Sequence, residues 1–291
     1  MSIGMNSTCI ACRVHRIINT IGPLGTEAQL TEFLKKWMAM AAGYRDHIDS
    51  ARCGYYTDCL TKEFYGIDPA DLMAKDRADS NRFVVERIHQ IRRRVEEAPD
   101  PVYAGLQYAI LGNYLDFAAL AGKISYQDLE KMLDKAGDMT IDKAVVAEFA
   151  ADLEKGKKLL IITDNAGEIG FDRVLAEVLK NLYPHLEITF CVRGEPVAND
   201  ATREDAAAVG ITFPVIDSGN AVGGTAEELL SPEAKAAMET ADVILAKGMG
   251  NTESMWGCAY NAYYAFLIKC DRFVEIFDAP MMQAMFVKDP H

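Results

Sequence analysis

Along the first half of the chain, apolar residues recur at helical spacing. Between Thr26 and Ile48, Leu30, Phe33, Leu34, Trp37, Met38 and Ala41 share one face, the stripe of a helix packed on a core. Further helices are predicted over Pro69–Lys75, Ser80–Ala98, Pro101–Ala121, Ser125–Lys135 and Ile141–Lys155, punctuated by Pro and Gly. The pattern changes at Gly156. Leu159–Ile162 is a short apolar run that ends abruptly in Thr163-Asp164-Asn165, the mark of a buried strand whose carboxyl end is polar.

From there strand and helix patterns alternate. The pattern predicts a helix over Ile169–Leu182, a strand over Glu187–Arg193, a helix over Thr202–Val209 and a strand over Thr212–Ile216. A helix over Glu233–Thr240, a strand over Val243–Ala246, a helix from about Thr252 and a strand over Ala265–Lys269 follow. Such alternation builds a largely parallel sheet covered by helices. The expected fold is therefore α/β, a Rossmann-like three-layer α/β/α core over 157–291 carrying the chemistry, with an N-terminal helical lobe over 1–156. No internal repeat or low-complexity tract interrupts it.

Charge narrows the partners. The 291 residues carry a formal net charge of −13, which opposes binding to nucleic acid or to an anionic membrane. No run of about 18 apolar residues is present to span a bilayer. Met1–Arg16 lacks a leader pattern, so a cytoplasmic, reducing setting with thiol cysteines is expected. An anionic substrate would then need local positive charge, which a metal ion can supply. The run Arg92-Arg93-Arg94 resembles a phosphate patch but reads better as a solvated helix face.

In open α/β sheets, ligands bind beyond the carboxyl ends of the strands, and three such ends are polar here. Asp164-Asn165-Ala166-Gly167-Glu168 offers oxygen ligands for a hard divalent cation, with Gly167 allowing close backbone approach. Arg193–Thr202 contributes Asp200 as a second carboxylate. Either segment alone is equally an N-terminal helix cap. Lys247-Gly248-Met249-Gly250-Asn251-Thr252-Glu253 joins a lysine to exposed amides suited to phosphate oxygens, although a glycine loop can be a mere turn and this one lacks P-loop spacing. Metal and lysine together match what phosphoryl transfer requires.

At these residues the sequence resembles the damage-control phosphatases, also catalogued as domain of unknown function 89, in their stand-alone prokaryotic branch. The likeness rests on Asp164–Glu168 with Phe171-Asp172 behind it, on Gly194–Thr202 ending Asn-Asp-Ala-Thr, and on Ala241–Gly248 running through Gly250-Asn251 to Glu253. Gly112-Asn113-Tyr114-Leu115-Asp116-Phe117 and Cys9-Ile10-Ala11-Cys12 add to it, as does Asn81, with Arg77 standing where the family carries lysine. The stretch Asp271–His291 departs from the usual family ending.

The resemblance implies a metal-dependent phosphatase of small phosphorylated metabolites, such as sugar phosphates or damaged phosphometabolites, with an α/β core and an attached helical lobe. Asp164, Asn165 and Asp200 would hold one divalent ion, Mn²⁺, Mg²⁺, Co²⁺ or Ni²⁺. Lys247 would hold the phosphate, with Asp164 or Glu253 orienting the attacking water. Asn81, Asn113, Asp116, Gly167, Glu168, Asn199, Gly248 and Asn251 would line or brace the site. Attack by Asp164 itself, forming an aspartyl phosphate, is the covalent variant.

Two other functions compete. A methyltransferase that binds S-adenosylmethionine would use a similar strand–turn–helix, but no Gly-x-Gly-x-x-Gly follows a predicted strand. A non-catalytic metal or phosphometabolite-binding protein would keep the same ligands without turnover. Cys9 and Cys12 with Cys53 and Cys59 could supply a structural zinc or a redox site, although the second pair lacks the tight ligand spacing. Cys191, Cys258 and Cys270 read as small core residues. The five histidines, His15, His47, His89, His185 and His291, show no ligand spacing. Oligomeric state is not legible.

Overall fold

The computed structural model describes residues 3–44, 48–115 and 126–290. Before Gly156 the chain is helical: α1 (Ser7–Thr20), α2 (Glu27–Ala42), α3 (Ser50–Tyr65), α4 (Ala74–Val85), α5 (Ile88–Glu96), α6 (Pro101–Leu111), α7 (Tyr126–Asp134) and α8 (Lys143–Lys155). The remainder alternates: β1 (Lys158–Ile162), α9 (Glu168–Leu182), β2 (Glu187–Val192), α10 (Arg203–Ala208), β3 (Val215–Asp217), α11 (Pro232–Thr240), β4 (Val243–Lys247), α12 (Gly248–Met255), β5 (Ala262–Leu267), α13 (Asp271–Phe277) and β6 (Ala284–Lys288).

The six strands form one sheet in the order β3-β2-β1-β4-β5-β6, parallel except for β6, which runs antiparallel to β5. Because side chains alternate across a strand, each strand feeds both faces. Leu159, Ile161, Leu245 and Ala265 pack under α6, α8 and α9, whereas Leu160, Ile162, Ile244 and Phe266 pack under α11, α12 and α13. The three-layer expectation is met. Segments on either side of Gly156 share the first of these cores, through Leu106 and Phe149 before it and Ile161 and Leu175 after it.

Several elements differ from the sequence reading. The predicted Ser80–Ala98 helix is two helices, because the chain turns at Glu86-Arg87, where the Arg87 guanidinium donates to Phe83 O at 2.8 Å and to Glu130 at 2.7 Å. Pro69–Met73 is a 3₁₀ turn that opens α4. The last parallel strand begins at Ala262 rather than Ala265 and ends before Ile268. The helix expected from Thr252 starts at Gly248. Helices α1, α3 and α13 and strand β6 were not foreseen. The end of the predicted Pro101–Ala121 helix, with Asp116 and Phe117, lies outside the described residues, as do His47 and His291.

Arg92 and Arg94 are held by Glu177 and Asp134, consistent with a solvated face. His15, His89 and His185 are exposed. Among the described residues no helix is long and apolar enough to cross a membrane.

Candidate active site

The strand order reverses direction between β1 and β4, and an open crevice forms at such a point beyond the strand carboxyl ends. The loops after β1 and β2 are stitched together there by backbone. Asn165 and Asp200 form an isolated antiparallel bridge, Ala201 N donates to Asp164 O at 2.7 Å, and Ala166 N donates to Asn199 O at 2.8 Å. Residues 35 positions apart in sequence thus become neighbours, which is why Asp164, Asn165, Asn199 and Asp200 meet on the wall of a cavity of about 440 Å³.

The β4 end closes the group from the other side. Gly248 takes φ +77°, and a Cβ at that position would stand 2.0 Å from Asp164 Oδ2. Only glycine lets backbone and carboxylate come so close. Met249, Gly250 and Glu253, all on α12, also line the cavity.

Each candidate ligand is oriented by neighbours. Asp164 Oδ2 accepts from Asn113 Nδ2 at 2.8 Å and from Asn165 Nδ2 at 2.7 Å. Asn165 Oδ1 accepts from Asn199 Nδ2 at 2.7 Å, leaving one of its lone pairs. Asp200 Oδ2 pairs with Arg193 Nε at 2.7 Å, and the same guanidinium donates to Gly224 O and Asn251 Oδ1, each at 3.0 Å. Arg193 is buried, so this ion pair is desolvated and fixed.

Below the cavity lies a second charged layer. Lys247 is fully buried, and its ammonium is 2.6 Å from Glu168 Oε1, 2.9 Å from Asp172 Oδ1 and 2.9 Å from Ala109 O. Burial works to lower its pKa, but Asp172 and Glu168 outweigh burial and raise it, so it stays charged. Burial pushes Asp172 up to about 7 against the pull of Lys247. Glu168 Oε2 in turn accepts from Asn113 and Asn165, which links this layer to Asp164.

The depth of Lys247 corrects one expectation. It does not line the cavity, and its ammonium donates to Glu168 and Ala109 and pairs in charge with Asp172 rather than being offered to a phosphate. Asn251 is likewise a brace, donating to Thr163 O and Lys247 O. Asn81 sits outside the cavity, accepting from Gly167 N at 2.7 Å and donating to Asp205 at 2.7 Å, and so fixes the start of α9. Gly167 itself takes φ +74°.

The family described as damage-control phosphatase ARMT1-like domain matches residues 5–285. The chain belongs to that family. An uncharacterized protein of Methanocaldococcus jannaschii is 41% identical over 264 residues, 87% of this chain and 84% of that protein. A damage-control phosphatase of Archaeoglobus fulgidus is 31% identical over 196 residues, 66% of each chain. A damage-control phosphatase of Pyrococcus horikoshii is 34% identical over 155 residues, 52% of each. The crystal structure of a domain-of-unknown-function-89 protein from P. horikoshii shares the fold, with a TM-score of 0.84 over 99% of both chains at 23% identity.

In this damage-control phosphatase fold, the cavity has a second wall that the sequence reading missed. Arg13 and Arg16 from α1, with Tyr55 and Asp58 from α3, face the carboxylate loops. The available signal was the i, i+3 pair of arginines directly after Cys9-x-x-Cys12. Arg193 was also missed, although a charge ending an apolar strand marked it.

The four cysteines are not gathered. Cys53 is buried, Cys9 is half-buried, and Cys12 and Cys59 are exposed, all as free thiols. Among the described residues, no group of three His, Cys, Asp or Glu side chains is placed to hold a metal, so the zinc expectation finds no support. The set at the crevice differs from such a group, being two carboxylates and one amide. Its hard oxygen donors suit a cation such as Mg²⁺ or Mn²⁺.

Proposed function

We propose that this chain is a metal-dependent phosphatase that hydrolyses phosphate monoesters of small metabolites. The observation that carries the proposal is the meeting of Asp164, Asn165 and Asp200, from loops after adjacent strands, on one cavity wall. The family relationship supports the same reaction class. These three side chains would hold one divalent ion, which when bound supplies Lewis acidity and a template for the phosphoryl group.

The residues around them act by positioning and by charge. Arg193 fixes Asp200, and Asn113 with Asn165 fixes Asp164, so the ligands are preorganised rather than recruited. The first turn of α12, with Met249 and Gly250 on the cavity wall, offers backbone amides to phosphoryl oxygens. Lys247 acts through Glu168 as a positioning residue. Burial, then the nearby Asp49, pushes Glu253 up to about 8 against the pull of Arg13, and its place on the cavity wall suits it to proton transfer at the ester.

The test is phosphate release from phenyl phosphate and a panel of sugar phosphates. Chelated protein would be supplied with Mg²⁺, Mn²⁺, Co²⁺ or Ni²⁺, beside Asp164→Ala and Asp200→Asn. Metal-restored turnover that both variants lose is the expected result. A folded protein that releases no phosphate with any of the four ions would refute the proposal.

A further inference from the structure

Two residues one helical turn apart on α4 reach the two ligand loops where their backbones turn to positive φ. Asn81 accepts from the amide of Gly167, at φ +74°, in the loop after β1. Arg77 Nη1 donates to Ala198 O at 2.7 Å, in the loop after β2, and to Ala70 O at 2.9 Å in the 3₁₀ turn that opens α4. Ala198 stands at φ +45°, and among the described residues it is the one non-glycine of the cavity wall with a positive φ.

Ala198 holds the first central position of a tight turn, closed by Asp200 N donating to Val197 O at 3.0 Å. Turns with a positive φ at that position favour glycine, because a Cβ there crowds its own backbone. For alanine the bias against the conformation is roughly 5- to 30-fold. A residue so strained persists where its surroundings hold it. The turn leads directly into Asn199, whose carbonyl accepts from Ala166 N, and into Asp200, which bridges to Asn165. Relaxation at Ala198 would therefore pull both from their places beside Asp164 and Asn165.

Arg77 does not line the cavity, so its reach to Ala198 acts on the loop and not on a bound ester. We propose that Arg77 is a positioning residue that clamps the strained turn at Ala198 and so keeps Asn199 and Asp200 in register with Asp164 and Asn165. The consequence for a metal ion rests on the phosphatase reading; the clamp is a property of the two loops alone.

The test is hydrogen exchange on chelated protein at two amides that cross between the loops, Ala166 N and Ala201 N. The distant control is Ile268 N, which donates to Gln283 O at 3.0 Å. Arg77→Met should speed exchange at the two loop amides about 5- to 30-fold and leave the control within about threefold. In an Ala198→Gly background the turn carries no strain for Arg77 to offset, and the same substitution should change the loop amides by less than about threefold. Uniform acceleration at all three amides, no acceleration at any, or an effect of Arg77→Met that Ala198→Gly does not suppress would overturn the clamp.

Mn²⁺ calorimetry on the same proteins separates the two levels of argument. Arg77→Met should weaken Mn²⁺ binding by the factor seen in exchange, because the ion is held by the fraction of molecules with the turn in place. Ala198→Gly should restore most of that loss, and KM for phenyl phosphate at saturating Mn²⁺ should stay where it is in wild type. Wild-type Mn²⁺ affinity in Arg77→Met, or a loss confined to KM, would overturn the inference. If none of the proteins binds Mn²⁺ or releases phosphate yet exchange shows the suppressed pattern, the clamp stands and the phosphatase reading fails.

Discussion

Gly248→Ala probes the closest packing in the site. The added Cβ would lie 2.0 Å from Asp164 Oδ2, well inside the ordinary contact distance of 3.4 Å, so the carboxylate has to retreat by about 1.4 Å or α12 has to shift. The φ of +77° adds a left-handed penalty of about 1–2 kcal/mol for a residue with a side chain. For a chain of this size that corresponds to a fall in Tm of roughly 2–8 °C. A displacement above 1 Å at a reacting centre costs on the order of 100-fold in rate.

The expected variant is therefore folded, a few degrees less stable, and about 100-fold slower in phosphate release, with weakened Mn²⁺ affinity by calorimetry. Loss of affinity should match that of Asp164→Asn, because both perturb one ligand. If Gly248→Ala kept turnover and Mn²⁺ affinity within threefold of wild type, the coupling between the start of α12 and Asp164 would be wrong.

Other outcomes follow from the same geometry. Lys247→Met strands Glu168 and Asp172 without a counter-charge and should cost about 3–5 kcal/mol of stability by urea unfolding; a loss below about 1 kcal/mol would show that the buried ion cluster carries little strain. The raised pKa of Glu253 means that the folded state holds a proton the unfolded state gives up, so its contribution is lost as pH rises from about 4.5 to about 8. In chelated protein, the Tm of Glu253→Gln minus that of wild type should grow between pH 5 and pH 8, and a constant difference would mean that Glu253 ionises freely. Mn²⁺ at 100 times its Kd should stabilise wild type by about 2.7 kcal/mol, and Asp200→Asn should abolish that gain in a thermal melt.

How far the sequence could be read depended on which side chains do the packing. β1, β2 and β4 were visible because short, mostly apolar runs end in Asp, Arg and Lys, so the ligand loops were found with them. β5 was shifted because Ala262–Leu267 and the following Ile268 are all buried, leaving no polar punctuation to mark its ends. α3 was invisible because it buries Cys53, Thr57 and Thr61 instead of aliphatic residues, with Trp37 Nε1 donating to Thr57 Oγ1 at 3.0 Å. Missing α1 and α3 meant missing Arg13 and Asp58. Lys247 was recognised as important, but nothing in a linear pattern says whether a lysine after a strand points into a cavity or beneath it.

The helices that supply the second wall rest on an apolar cluster of their own, in which Ile17, Leu30, Phe33, Trp37 and Cys53 close on one another away from the sheet. The carboxylate loops hang from the strands, and their backbones are bonded to each other. Substitutions can therefore accumulate on the exposed side of α1 and α3 without disturbing the register of β1, β2 and β4. The buried side of the same helices has no such freedom, because α3 packs on α12 and Ala51 on Val222 and Ala226, so only their outward faces can vary while the carboxylate loops are inherited unaltered.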